Sequence, residues 1–296
     1  MQGDRRRAIN FLDKALEVMP AHRDTLEAMV VTYGQENKWE EVVGYKRQIL
    51  DNIIDGAERF KVLNEIADTW EKDQNQQKAV EALEEALDLE PQNHKLLHKL
   101  LELYQKLGHW EKMVDCLQRI ADLEPQPKRK SRYFFTMAQL YRDKLEDMGR
   151  AVDLFNDALD LDPGFLDAFE RINKILTALK EWKQLERAYR KMLHRVAGKG
   201  NNDLEFSLWH ALGLIYRDRL EDRTAATESF RMAARLKPED VQERLILADL
   251  YEVGEQFDEA ISEYHSILKT DPTKVDPYRK LYRLYLEKKA YDPAWC

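Results

Sequence analysis

Residues 79–91 read A-V-E-A-L-E-E-A-L-D-L-E-P, residues 151–163 read A-V-D-L-F-N-D-A-L-D-L-D-P, and residues 226–238 read A-T-E-S-F-R-M-A-A-R-L-K-P. Aligned, they share Ala79, Leu83, Ala86 and Pro91; Ala151, Phe155, Ala158 and Pro163; Ala226, Phe230, Ala233 and Pro238. The frame is A-x3-[LF]-x2-A-x4-P. It recurs more loosely at Ala8, Leu12, Ala15 and Pro20, at Met113, Leu117, Ile120 and Pro125, and at Ala260, Tyr264, Ile267 and Pro272. Small or apolar residues three and four places apart lie on one face of a helix. The proline lacks an N–H and fixes φ, so it stops that helix. A unit repeated in this way predicts an all-α solenoid.

Upstream of each such helix lies a second pattern. Trp209, Leu212, Gly213 and Tyr216 give W-x2-L-G-x2-Y without a mismatch. Degenerate copies include Leu26, Met29, Val30, Tyr33; Leu63, Ile66, Ala67, Trp70; Leu97, Leu100, Leu101, Tyr104; Phe134, Met137, Ala138, Tyr141; and Arg244, Leu247, Ala248, Tyr251. The pair of patterns resembles the tetratricopeptide repeat (TPR) family over essentially the whole chain. The resemblance implies one array over 1–296, a right-handed superhelix of about eight antiparallel helix hairpins with partial repeats at both ends. The Trp209 indole is expected to be buried between the helices of its own hairpin, and Gly213 to let the second helix approach.

The repeats are not equal. Steps between stop positions run 34, 38, 34, 41 and 34 residues through Pro91, Pro125, Pro163, Ala197, Pro238 and Pro272. Trp39, Trp110, Trp182 and Phe257 open a second helix in every other repeat, and Tyr291 holds that slot in the last one. The long repeats carry Y-R-D-K-L-E-D at 141–147 and Y-R-D-R-L-E-D at 216–222. We read this as duplication of a two-repeat unit. The pattern is similar to that of the very large TPR proteins of myxobacteria, which implies a bacterial source. Asp147 and Asp222 are expected to cap the next helices, and Leu145 and Leu220 to pin the longer turns. Residues 197–203, A-G-K-G-N-N-D, are the expected hinge. The first helix, about 4–19, reads as a second helix without its partner, and 291–296 as the start of another. That is the pattern of a piece of a longer protein.

Composition narrows the function. Charged residues make up 34% and Gly and Pro number only 11 and 9, as a thin, mostly helical array requires. No apolar run approaches the roughly 18 residues of a membrane span. Two cysteines, Cys116 and Cys296, give no disulfide framework, and a reducing cytoplasm is the expected setting. The net charge of −8 disfavours nucleic acid and anionic membranes despite the basic run Lys128-Arg129-Lys130. His94 and His98 share a helix face with Glu102, but no second ligand pair supports a metal. Cys116 and His109 lack the orienting third group that nucleophilic catalysis needs, and Cys116 reads as a buried structural residue. No catalytic, cofactor or metal site is expected.

By resemblance, the second, fifth, ninth and twelfth places of each first helix line a concave groove that holds a peptide or partner helix. Carried over by position, these include Asp68 and Glu71; Phe135 and Arg142; His210, Leu214 and Arg217; Leu245, Asp249 and Glu252. A TPR subfamily clamps chaperone carboxylates with lysine at the fifth place and asparagine at the ninth. No repeat here has that pair. Phe135, Leu214 and Leu245 are apolar at groove places, with Arg142, His210 and Arg217 beside them. These six are the candidate contacts for a protein or peptide, including another part of the same full-length chain. The expected role is a non-catalytic scaffold; the alternative is a regulatory or assembly segment of a larger, enzymatic protein.

Overall fold

The computed structural model describes residues 2–288. Tyr291 and Cys296 lie outside the described residues. Within them the chain forms sixteen α-helices and no strand. They are α1 Gln2–Val18, α2 Arg23–Gly34, α3 Trp39–Asp51, α4 Gly56–Lys72, α5 Gln76–Leu89, α6 His94–Leu107, α7 Trp110–Leu123 and α8 Pro127–Asp143. There follow α9 Met148–Leu161, α10 Leu166–Ala178, α11 Trp182–Val196, α12 Asn202–Ile215, α13 Arg223–Leu236, α14 Val241–Val253, α15 Phe257–Thr270 and α16 Val275–Glu287. A π-helical turn, Tyr216–Leu220, extends α12. The chain divides into two compact units, Met1–Ala151 and Val152–Cys296.

The stop signals fall where the sequence puts them. Pro20, Pro91, Pro125, Pro163, Pro238 and Pro272 each stand two residues beyond the end of a second helix. The motif residues Ala79, Leu83, Ala86, Ala151, Phe155, Ala158, Ala226, Phe230 and Ala233 are all wholly buried. In the first unit the core gathers Leu63, Ile66, Leu83, Leu97 and Leu100; in the second it gathers Phe230, Leu247, Tyr264, Ile267 and Leu281. Helices pack on their neighbours in the chain, such as α4 on α5 and α12 on α13.

One device recurs in the turn between first and second helices. Asn37, Gln74, Gly108, Glu146, Lys180, Glu221 and Glu255 all have positive φ, between 54° and 72°, and each stands two residues before a second helix. The amide after each returns to the end of the first helix. Asn75 N reaches Trp70 O at 2.9 Å, His109 N reaches Tyr104 O at 2.9 Å and Glu181 N reaches Leu176 O at 2.9 Å, each five residues back. In the two long repeats the bond spans six: Asp147 N to Tyr141 O and Asp222 N to Tyr216 O, both 2.9 Å. The extra residue of Y-R-D-x-L-E-D is absorbed in this wider loop. Asp147 and Asp222 then cap α9 and α13, accepting from Arg150 N at 2.9 Å and Ala225 N at 3.0 Å. This is the capping the sequence predicts.

The periodic aromatics also find a common partner. Lys72 Nζ lies 5.7 Å over the Trp39 ring, Lys144 Nζ 5.0 Å over Trp110 and the Arg219 guanidinium 4.8 Å over Trp182. In each case the tryptophan opens the second helix of one pair and the cation comes from the end of the next pair's first helix. Leu145 lines a small cleft with Trp110, and Leu145 and Leu220 are half-buried.

Trp209 departs from expectation. It is half-buried, while Leu26, Leu63 and Leu97 at the same place are wholly buried or nearly so. A tryptophan, being large, is seldom fully covered even where a leucine is. The close approach belongs instead to Gly213, where an added Cβ would stand 2.8 Å from the Phe230 ring.

Candidate functional site

The second unit holds four of the six candidate contacts. Asn201 caps α12 by accepting from Leu204 N at 3.2 Å, and Asp240 caps α14 by accepting from Glu243 N at 3.0 Å. These caps fix the two first helices that carry His210, Leu214 and Leu245. Leu214 and Leu245 are half-buried and pack, with Ile246, on the core around Phe230 and Tyr264. They are neither fully covered nor fully open, so part of each side chain stays in solvent.

His210 is tied down. Its ring lies 6.2 Å from Phe206, nearly parallel, and 5.7 Å from Phe230, edge-on. Its Nδ1 is 2.7 Å from Oε2 of Glu243, a side chain 2% exposed. That hydrogen bond, aided by the charges of Glu243 and Asp240, raises the His210 pKa; burial and Arg217 oppose it.

The arginines are also engaged. Arg217 makes a fork to Asp218 at 2.7 and 3.0 Å and lies 5.8 Å over the Phe230 ring. His210 and Arg217 therefore meet at one aromatic, Phe230. In the first unit Arg142 makes the same fork to Asp143 at 2.6 and 2.7 Å, and Phe135 is half-buried on α8. A carboxylate ligand must compete with these aspartates, and exposed pairs of this kind are weak, about 0–1 kcal/mol.

Beside Leu245 runs a cleft of about 660 Å³ lined by the apolar Leu245, Ile246, Tyr264 and Pro277 and by Arg279 and Arg283 among its polar residues. Asp249 in this cleft and Glu252 one turn further along α14 are both paired. Lys280 Nζ bridges Asp249 at 3.2 Å and Glu252 at 3.1 Å, Arg283 joins Glu252, and Tyr264 Oη donates to Glu252 at 2.5 Å. The same ladder stands in the first unit, where Lys99 bridges Asp68 at 2.7 Å and Glu71 at 2.9 Å. Acids at the ninth and twelfth places thus bind adjacent first helices together, while Leu214, Leu245 and Ile246 are half-buried. Sequence reasoning missed Ile246, Tyr264 and Pro277 in the cleft, because they lie off the carried-over places. It also missed Glu243, although an acid 33 residues after a groove histidine was legible.

Cys116 is buried, donates to Leu97 O at 3.1 Å, and burial pushes its thiol up to about 12. That is an inert structural thiol. Among the described residues no helix is long and apolar enough to cross a membrane.

A family model described as tetratricopeptide repeat matches residues 95–271, and another of the same description matches residues 60–93. Among curated proteins the chain is similar to superkiller protein 3 of Schizosaccharomyces pombe, 26% identical over 156 residues, which is 52% of this chain and 11% of that protein. The chain thus spans about a tenth of that relative's length. Among solved structures it is similar to YrrB, a TPR protein with an unusual peptide-binding site, at 22% identity over 55% of this chain and 79% of that one, with a TM-score of 0.36. It is also similar to MamA, at 16% identity over 65% of this chain and 97% of that one, with a TM-score of 0.33.

Proposed function

The chain belongs to the tetratricopeptide repeat family, and from that membership we propose that it is a non-catalytic scaffold that holds an extended peptide or partner helix against its first helices. The observation that carries this reading is the surface of α12 and α14. There Leu214, Leu245 and Ile246 keep part of their side chains open while the neighbouring acids are engaged in inter-helix pairs. Apolar anchors supply desolvation, and Arg217 and His210 set orientation. In the first unit Phe135 and Arg142 are proposed as contacts in their own right. Residues 197–203, with Gly198 and Gly200 at positive φ, are proposed as the place where α11 and α12 adjust to a ligand. The setting we propose is the cytoplasm.

The test begins with peptides selected from a random display library against the intact chain. Affinities on the order of micromolar are expected, because ordering a flexible ligand opposes binding. Leu214→Ser with Leu245→Ser should weaken the selected peptides about tenfold or more, and Phe135→Ser should weaken those that use the first unit. Unchanged affinity in all these variants, with melting preserved, contradicts the proposal.

A further inference from the structure

Most charged side chains at the groove places of the first helices have a counter-ion beside them. Lys99 serves Asp68 and Glu71, Arg142 and Arg217 each fork a neighbouring aspartate, and Lys280 serves Asp249 and Glu252. Three cations of the first unit are different. Lys61 on α4, Lys95 on α6 and Arg132 on α8 hold the second place of three successive first helices, and all three are exposed. None of them makes an ion pair or a side-chain hydrogen bond among the described residues. Lys128 and Arg129, one turn before Arg132, are likewise exposed and unpaired among the described residues.

The three helices stand together. Lys99 of α6 bridges two acids of α4, and Tyr133 of α8 packs on the core to which Leu63 of α4 and Leu97 of α6 belong. Packed helices lie about 8–10 Å apart, and an extended chain advances about 3.3 Å per residue. A strand laid across the row therefore meets a new helix at every third residue. The row is also bounded. Glu102 shares α6 with Lys95 but stands two turns on, about 10 Å along the axis. In sequence, the second and fifth places turn acidic on either side of the row, with Asp24 and Glu27 on α2 and Asp167 and Glu170 on α10.

We propose that this row binds an extended acidic segment of a partner protein, of the form acid-x-x-acid-x-x-acid, with one carboxylate to each of Lys61, Lys95 and Arg132. The inference rests on the reading of the first helices as a peptide groove, but on none of the residues that carry that reading. Separate carboxylates fit better than a single phosphate, because each helix supplies one cation and a phosphate needs donors gathered at one point. A peptide fits better than a nucleic-acid backbone. The chain carries a net charge of −8, and Asp24 and Glu27 repel a uniform polyanion that runs past the row. Lys128 and Arg129 add to the field that draws an acidic segment in.

Fluorescence anisotropy of the intact chain with two labelled peptides of identical composition tests this. One carries three glutamates spaced at every third residue of a Ser/Ala/Leu background, and the other carries them consecutively. The spaced peptide should bind about fivefold or more tighter at ~50 mM salt, since several exposed ion pairs add modestly. That advantage should shrink at ~200 mM salt as screening grows. Lys95→Glu, an exposed change that should leave circular dichroism and melting unaltered, should remove the preference. The same variant should instead favour the spaced peptide with its middle glutamate replaced by lysine, a swap that a purely structural role of Lys95 does not produce. Equal affinity for the two peptides, no binding up to about 1 mM, failure of the swap, or tighter binding of a uridine decamer overturns the proposal. Display-selected peptides run alongside separate the two readings: if they still bind through Leu214 and Leu245, the acidic row alone falls, and if they do not, the groove reading falls with it.

Discussion

The His210 ring and the Glu243 carboxylate meet at 2.7 Å across α12 and α14, and Oε1 of Glu243 finds no hydrogen-bond partner among the described residues. A buried carboxylate with one oxygen unpaired depends on the charge of its single partner. His210 has its pKa raised above the ordinary 6.5, chiefly by that hydrogen bond. The stabilisation is therefore complete below the unfolded value and is lost as pH rises through the folded one. Wild type should lose more stability than His210→Gln between about pH 5.5 and pH 8, across the ordinary histidine range. Urea melts at both ends of that range, with NMR titration of the ring, read the effect. Equal pH dependence in the two proteins would contradict it.

Gly213 faces the ring of Phe230 with no room for a methyl group. An ideal Cβ would stand 2.8 Å from two ring atoms of a side chain that is wholly buried. Gly213→Ala should cost about 1–3 kcal/mol through overpacking. Gly44, mid-helix in α3 with nothing within 4 Å, gives the opposite sign. Gly44→Ala should gain about 0.5–1 kcal/mol by helix propensity. Paired thermal melts check both.

Six of the seven left-handed turn residues are not glycine. Each carries the steric cost of an L side chain in that region, roughly 1–2 kcal/mol before compensation. Lys180→Gly and Glu221→Gly are expected to raise the melting temperature, by an amount that reflects about 1 kcal/mol or less once the added freedom of the unfolded chain is counted. Gly108→Ala should lower it.

The Trp182–Arg219 contact joins successive helix pairs, and so does Trp110–Lys144. A double-mutant cycle with Trp182→Leu and Arg219→Gln should return a coupling of about 0.5–1 kcal/mol, the value for a cation over an indole at a partly exposed site. A coupling near zero would mean that the ring is held by packing alone.

Local signals made the fold readable. The alanine frame and its proline name a buried face and a helix end in one stretch, and both are independent of distant contacts. The caps at Asp147 and Asp222 were legible for the same reason. The hairpin turns were not. Only Gly108 advertises positive φ; Asn37, Gln74, Glu146, Lys180, Glu221 and Glu255 adopt it because the helices they join impose it. Place numbers singled out Leu214 and Leu245, which are half-buried, but could not reveal that Asp249, Glu252 and both arginines are already paired. Those pairings depend on which side chains neighbouring helices bring within reach. Trp209 was misjudged because the frame specifies an aromatic there without specifying its depth.

The scaffold reading makes its most direct commitment about where a ligand touches the second unit. Hydrogen–deuterium exchange on the intact chain, with and without a display-selected peptide, reads this at the level of single helices. Added protection is expected on α12 and α14, the first helices that carry His210, Leu214 and Leu245, with α13 and α15 unchanged. Protection confined to α13 and α15, or spread evenly over all helices, would contradict it.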